Sequence, residues 1–254
     1  MANSVIQLPT REILKRKLPG NDKVFSLLEL LTLNISKWDD DFQGDTLHGG
    51  YQSTASGAGS AAAAISAGLQ GGAVILVTGT DADGRSDLSL GLHFAGNSNV
   101  VIAARLKISA ISGAKIEIGF TDVVSGTDAG AVATKATPTF NANGCALWAF
   151  DTNDNDYWEG IAALEGVAAT TVEAAISPAA DTYEWMIVAL NGTSAKYLRL
   201  NADAEKTYES AWQTSAITAA TLLTPWVFVQ TRNTTSKTLT LDRWIVYQRS
   251  STGA

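Results

Sequence analysis

The chain is poor in the residues that most directly build catalytic and metal sites. Among 254 residues it has one cysteine and two histidines. A single cysteine, Cys145, excludes an internal disulfide and a multi-cysteine zinc centre, and it reads as a small buried hydrophobe. His48 and His93 leave little material for a histidine triad or a histidine-rich metal site. Charge is also sparse, at 17% of residues with a net of −7. Phosphate binding needs Lys and Arg to displace counterions, so neither nucleic acid nor an anionic membrane is an expected partner. The opening MANSVIQLPTREILKRK has no apolar stretch after its charges and does not read as a secretory signal. No run reaches the roughly 18 apolar residues a membrane helix needs. These shortages predict a protein made in the cytoplasm, without a cofactor and without a membrane span.

What the chain does have is strand pattern. SDLSLGLHF alternates Leu88, Leu90, Leu92 and Phe94 against Asp87, Ser89, Gly91 and His93. VVIAARLKI sets Val100, Ile102, Ala104, Leu106 and Ile108 opposite Arg105 and Lys107, and AKIEIGF repeats the scheme. YEWMIVAL is apolar on both faces; AVILVTG, WVFVQTR and LTLDRWIVYQR add further strands. Between them lie turn sequences, DADG at 81–84, ISG at 111–113, NANG at 141–144 and NG at 191–192. They place Gly, Asn or Asp where a tight turn needs them. About ten strands without interleaved amphipathic helices predict an all-β antiparallel sandwich of the jelly-roll type, one domain over 37–254. The small-residue stretch 53–72, STASGAGSAAAAISAGLQGG, reads as a surface loop or an irregular strand pair.

The first 36 residues differ. They carry five basic and three acidic groups, so the arm is slightly basic and the rest acidic. Asn21 or Asp22 can cap a helix over 22–34, with Val24, Leu27, Leu28, Leu31 and Ile35 on one face. Phe25, Leu30 and Leu33 make it apolar nearly all round, so it needs cover, from this domain or from another subunit.

Four groups of residues invite a chemical reading. The cluster WDDDFQGDTLHGGYQ holds Asp39, Asp40, Asp41 and Asp45, but adjacent carboxylates on a strand point to alternate faces and cannot all converge on a cation. It is expected to be a strand start anchored by Trp38 and Phe42. DTNDNDYWE opens like a calcium loop, yet has Asp156 where the turn glycine belongs and Ala162 where the closing glutamate belongs. Glu117, Asp122, Glu159, Glu165 and Glu184 show no paired pattern for glycoside hydrolysis, and no G-x-S-x-G elbow exists, so an enzyme is not expected. Of the tryptophans, most should fill the space between sheets. Trp158 and Trp212, in polar neighbourhoods, are the expected exposed pair for sugar stacking or a protein interface.

In order, WDDDFQGD, GGAVILVTGTDADGRSDLSLGLHF, VVIAARLKI with AKIEIGFTD, ALWAFDTNDNDYWEG, YEWMIVALNG and LTPWVFVQTRNTTSKTLTLDRWIVYQR resemble a concanavalin A-like (laminin G-like) β-sandwich. The resemblance is to domains of this group in tailed-bacteriophage virion proteins and spans about residues 38–249. Two departures matter. Family glucanases carry an E-x-D-x-x-E strand, whereas EIGFTD keeps Glu117 and Asp122 but has Gly119 in the middle. Legume-type lectins hold metals from an E-F-D-T-like strand, whereas AFDTNDN keeps Asp151 and Asn155 but has Ala149 for the glutamate; those two are the metal candidates left. The resemblance implies a phage virion structural protein, a capsid decoration or cement subunit. Arg11, Lys15, Arg16 and Lys17 together with Val24, Leu27, Leu28 and Leu31 would meet the capsid or neighbouring copies, and a homo-oligomer is implied by analogy. The alternative is a carbohydrate-binding module of a tail fibre or receptor-binding protein that recognises host glycan.

Overall fold

The computed structural model describes residues 35–66, 68–69, 71–124 and 130–249. Of the expected arm, residues 1–34, with the helix over 22–34 and the assembly residues Arg11, Lys15, Arg16, Lys17, Val24, Leu27, Leu28 and Leu31, lie outside the described residues.

Two antiparallel sheets face each other. Sheet I runs in the order β15 (Lys206–Glu209), β14 (Ser194–Leu200), β13 (Glu184–Asn191), β6 (Val100–Ile108), β17 (Thr238–Arg249), β4 (Val74–Thr78) and β3 (Ser60–Ile65). Sheet II runs β12 (Val167–Glu173), β11 (Asn155–Leu164), β10 (Cys145–Asp151), β7 (Ala114–Thr121), β16 (Thr224–Thr231), β5 (Arg85–Ser89) and β2 (Ala55–Ser56). The long β17 carries a bulge between Leu241 and Arg243. Its first part pairs with β4 and its last part with β1 (Ile35–Asp40), so the sandwich takes in Ile35 and Ser36 as well. Among the described residues the helical content is one 3-10 turn, Gly96–Ser98. This is the expected all-β antiparallel sandwich.

Period-two alternation explains which side chains meet. Val100, Ile102, Ala104, Leu106 and Ile108 of β6 are buried against Ile116, Ile118 and Phe120 of β7 and Trp148 and Phe150 of β10. The odd-numbered residues of β6 face outward, Arg105 and Lys107 among them. Apolar area removed from water is worth about 25 cal/mol per Å², so this continuous inter-sheet layer is the dominant stabilising term. The stretch 53–72 supplies two edge strands rather than a pair: β2 joins β5 in sheet II, and β3, whose Ala61, Ala62 and Ala64 remain exposed, joins β4 in sheet I.

β7, β10 and β16 depart from simple alternation, because every residue in them is buried. On the outward side, Cys145, Leu147 and Ala149 of β10 and Trp226 and Phe228 of β16 form a second apolar cluster with Ile161 and Ala163 of β11 and with Ala131, Val132 and Ala142. The cover comes from the connection between β7 and β10. Its residues 130–144, with the small hairpin β8 (Val132–Thr134) and β9 (Thr139–Phe140), cross sheet II as a strap.

Candidate functional site

The strap is held by charges on the outer face of sheet II. Glu117, on β7, is fully buried. One carboxylate oxygen accepts from the Ala131 N–H at 2.7 Å and from Trp226 Nε1–H at 3.1 Å. The other accepts from the Val132 N–H at 3.0 Å and faces Lys115 Nζ at 3.0 Å. Lys115 Nζ also donates to the Val132 carbonyl. Gly130 reaches the carboxylate with φ +84; a Cβ there would sit 2.5 Å from Glu117 Oε1. The strap therefore needs glycine at this point, both for the backbone conformation and for the close approach.

A second anchor lies where the strap passes the β10–β11 hairpin. Lys135 is buried, and its Nζ donates to Asn155 Oδ1 at 2.6 Å, the Tyr157 carbonyl at 3.1 Å and Glu159 Oε1 at 3.1 Å. Asp154 Oδ2 stands 3.4 Å away. Nearby, Arg232 clasps Asp151 with two nitrogens and reaches Asp83 at 3.3 Å. Burial opposes the Arg232 charge, but the bonds and charges of Asp151 and Asp83 win and hold the guanidinium more firmly protonated.

The sequence-predicted residues fall as follows. Asp151 and Asn155 do face each other across the β10–β11 turn, but the first is engaged by Arg232 and the second by Lys135. A metal ion there would have to displace both cations, and no group of three potential ligands occurs among the described residues. Trp158 is a correction: it is buried rather than exposed. Its polar neighbours Tyr157 and Glu159 point outward, which by strand parity sends Trp158 into the inter-sheet core beside Phe150. There its Nε1–H donates to Glu184 Oε1 at 3.0 Å, and Arg199 Nε holds the other oxygen at 2.5 Å. Burial pushes the Glu184 carboxyl above its ordinary value, even with the Arg199 charge and the bonds from Arg199 and Trp158 pulling it down. Trp212 is exposed, 38%, on the edge of sheet I, with Lys196 Nζ 6.0 Å from its ring centre.

The opening acidic cluster does not converge. Burial raises the Asp39 carboxyl, but Arg243 and Lys37 outweigh it and hold the group below the usual carboxylate range. Asp40 turns to the Tyr51 hydroxyl at 3.0 Å and the Phe42 N–H at 2.8 Å. Trp38 packs on the core and donates to Tyr51, and Phe42 is buried, so both aromatics anchor the strand start as expected. Beyond it, Phe42, Gln43 and Asp45 line an open cleft of about 500 Å³ with Ser66 and Leu69.

Gly119 marks where the chain parts from the glucanase pattern. A Cβ there would fall 2.6 Å from Leu147 Cα and 2.4 Å from the Ala146 carbonyl, so β7 and β10 leave no room for a carboxylate. The anchors Lys115, Lys135 and Arg232 were not among the sequence candidates. Lys115 is marked only by its alternation with Ile116, and Lys135, in VATKATPTF, has no local signal.

The architecture is that of the concanavalin A and legume-lectin-like β-sandwiches. A protein of unknown function from Shewanella oneidensis MR-1 superposes with a TM-score of 0.61 at 16% identity, covering 93% of this chain and 99% of that one. Peanut lectin gives 0.56 at 11% identity, over 84% and 97% of the two chains. The CBM2 module of the evolved Dit protein of Lactobacillus casei BL23 phage J-1 also gives 0.56, at 10% identity, over 87% and 99%. No protein-family model matches the sequence, and no curated protein matches it. At these identities the likeness is one of fold.

Proposed function

We propose that this chain is a non-enzymatic structural subunit of a tailed-phage virion, a capsid decoration or cement protein that works by adhesion. The observation that carries the reading is the outer face of sheet I. By strand parity it carries the half-buried Val101 and Ala103 of β6, Trp185 of β13, Leu198 of β14 and Ile245 of β17, the buried Ile187 and Ala189, and the charged Arg105, Lys107, Lys196 and Arg243, none of them in the inter-sheet core cluster. A broad face that interleaves apolar and charged residues suits a protein partner rather than a small ligand. Sheet II supports the same reading from the other side, because its outer face is roofed by the chain's own strap. β1 starts at Ile35 beside the end of β17, on this same sheet. Capsid proteins and further copies of the chain are the proposed partners, with no cofactor and no nucleic acid, and the assembled virion is the proposed location.

The test is binding of purified protein to undecorated particles, read by co-sedimentation. Deleting residues 1–34, or placing charge on the face with Ile245→Lys, should each leave a folded sandwich that binds at least tenfold more weakly. Undiminished decoration by both variants refutes the proposal. One observation favours a second reading, glycan binding at a virion tip: Trp212 is exposed beside Lys196, which pairs with Glu209, and the fold is shared with a phage carbohydrate-binding module. Saturable binding on a glycan array that Trp212→Ala abolishes would establish that reading in place of the first.

A further inference from the structure

Lys135, Asn155 and Glu159 form more than an ion-pair cage. The amine that donates to Asn155 Oδ1 at 2.6 Å lies 3.1 Å from Glu159 Oε1, and that same oxygen accepts from Asn155 Nδ2 at 2.8 Å. One carboxylate therefore touches both the nucleophile and the nitrogen that would leave. The Asn155 carbonyl oxygen also receives the Tyr157 backbone N–H at 3.0 Å, a donor already in place for charge that develops on that oxygen. The Lys135 side chain has no exposed surface and that of Glu159 is 8% exposed, so the amine and its proton acceptor are shielded from water, while Asn155 is half-buried.

We propose that Lys135 and Asn155 join in an intramolecular isopeptide bond, with Glu159 as the proton carrier. Glu159 takes a proton from the lysine ammonium, and the freed amine adds through its lone pair to the Asn155 carbonyl carbon. Rotation about the last side-chain torsion of Asn155 turns the face of that carbon toward the amine. The tetrahedral carbon then collapses, its bond to Nδ2 breaks, and the new bond to Nζ remains as a secondary amide. Two of the three ammonium protons pass by way of Glu159 to the departing nitrogen, which leaves as ammonium. The third stays on the amide, so charge and atoms balance and Glu159 is regenerated. Holding the reacting groups in contact supplies the effective molarity the reaction needs. The product ties the strap covalently to the β10–β11 hairpin, a reinforcement that does not depend on the assembly role proposed above.

Mass spectrometry of the full chain after folding tests this. The wild type should be lighter than its sequence by one ammonia, whereas Glu159→Gln and Lys135→Arg should keep their full mass. An amidated Lys135 also resists trypsin, so the tryptic peptide 116–196, whose only other Lys or Arg is its C-terminal Lys196, should stay in one piece. Chymotrypsin should release a branched peptide that carries both Lys135 and Asn155. A wild type of full mass overturns the proposal, whatever the variants do. So does ammonia loss without a branched peptide, because a succinimide at Asn155–Asp156 sheds the same mass.

Discussion

Glu117→Gln is the sharpest probe of how the strap is held. The substitution keeps the size and shape of the side chain but leaves one oxygen where two accept. If the amide oxygen serves Ala131 and Trp226, the new NH₂ points at the Val132 N–H and at Lys115; if it serves those, the NH₂ points at the first pair. Two buried donors then lose their acceptor, at about 1–3 kcal/mol each. Removing one partner's charge from a buried ion pair costs about 3–5 kcal/mol, and this overlaps the first penalty rather than adding to it. The expected loss is therefore about 3–5 kcal/mol, a large share of the roughly 5–15 kcal/mol that holds a domain folded. It corresponds to two to four powers of ten in the unfolding equilibrium, at about 1.4 kcal/mol for each. Urea denaturation followed by tryptophan fluorescence reads the global change. Limited proteolysis reads the local one, with earliest cleavage expected at 130–144. A variant within about 0.5 kcal/mol of wild type, cut no faster in the strap, would refute the claim that Glu117 fastens it.

Three further outcomes follow from the packing. Cys145 is fully buried, and burial pushes its thiol well above the ordinary value; it should ignore alkylating reagents in native protein and react only as the sandwich unfolds. Gly160→Ala would put a Cβ 2.5 Å from Tyr197 Cγ. It should cost about 1–3 kcal/mol by overpacking, and less in combination with Tyr197→Leu, which a double-mutant cycle measures. For Glu184, the native carboxyl value lies above the unfolded one, so the folded state binds the extra proton between the two. Stability from this group is then present below the ordinary carboxylate range and lost as pH rises through the raised native value. Glu184→Gln should remove that falling component from the denaturation midpoint plotted against pH, and an unchanged slope would count against it.

The fold was legible in the sequence because period-two alternation is a local property. The residue spacing in VVIAARLKI alone decides which side chains of β6 enter the core, and Gly192, with φ +60, opens the two-residue turn that reverses β13 into β14. The site was less legible, because its determinants are contacts between segments distant in the chain. Glu117 and Lys115 sit correctly on the outward face of β7, but nothing in AKIEIGF reveals that a strap will bury them. Trp158 illustrates the same limit from the other direction. Polar neighbours suggest exposure, yet on a strand the immediate neighbours are the residues that point the other way.

That reasoning also accounts for the strap over the outer face of sheet II. A sandwich that used sheet II to hold a ligand would leave its outward polar residues in water, where they need no partners. Here those of β7, β10 and β16 are buried, and the buried charges are each compensated by a specific group: strap amides and Trp226 for Glu117, Arg232 for Asp151, and, on the strap itself, the hairpin oxygens for Lys135. Leaving any one of these charges uncompensated would be costly. Replacing the outward residues with apolar ones would close the sheet as well, but an apolar contact is not directional. The charges fix where along sheet II the strap must lie, with Gly130 at Glu117 and Lys135 at Asn155. The geometry therefore fits a strap that stays closed, and a ligand that needed the floor of sheet II would have to break both anchors to reach it.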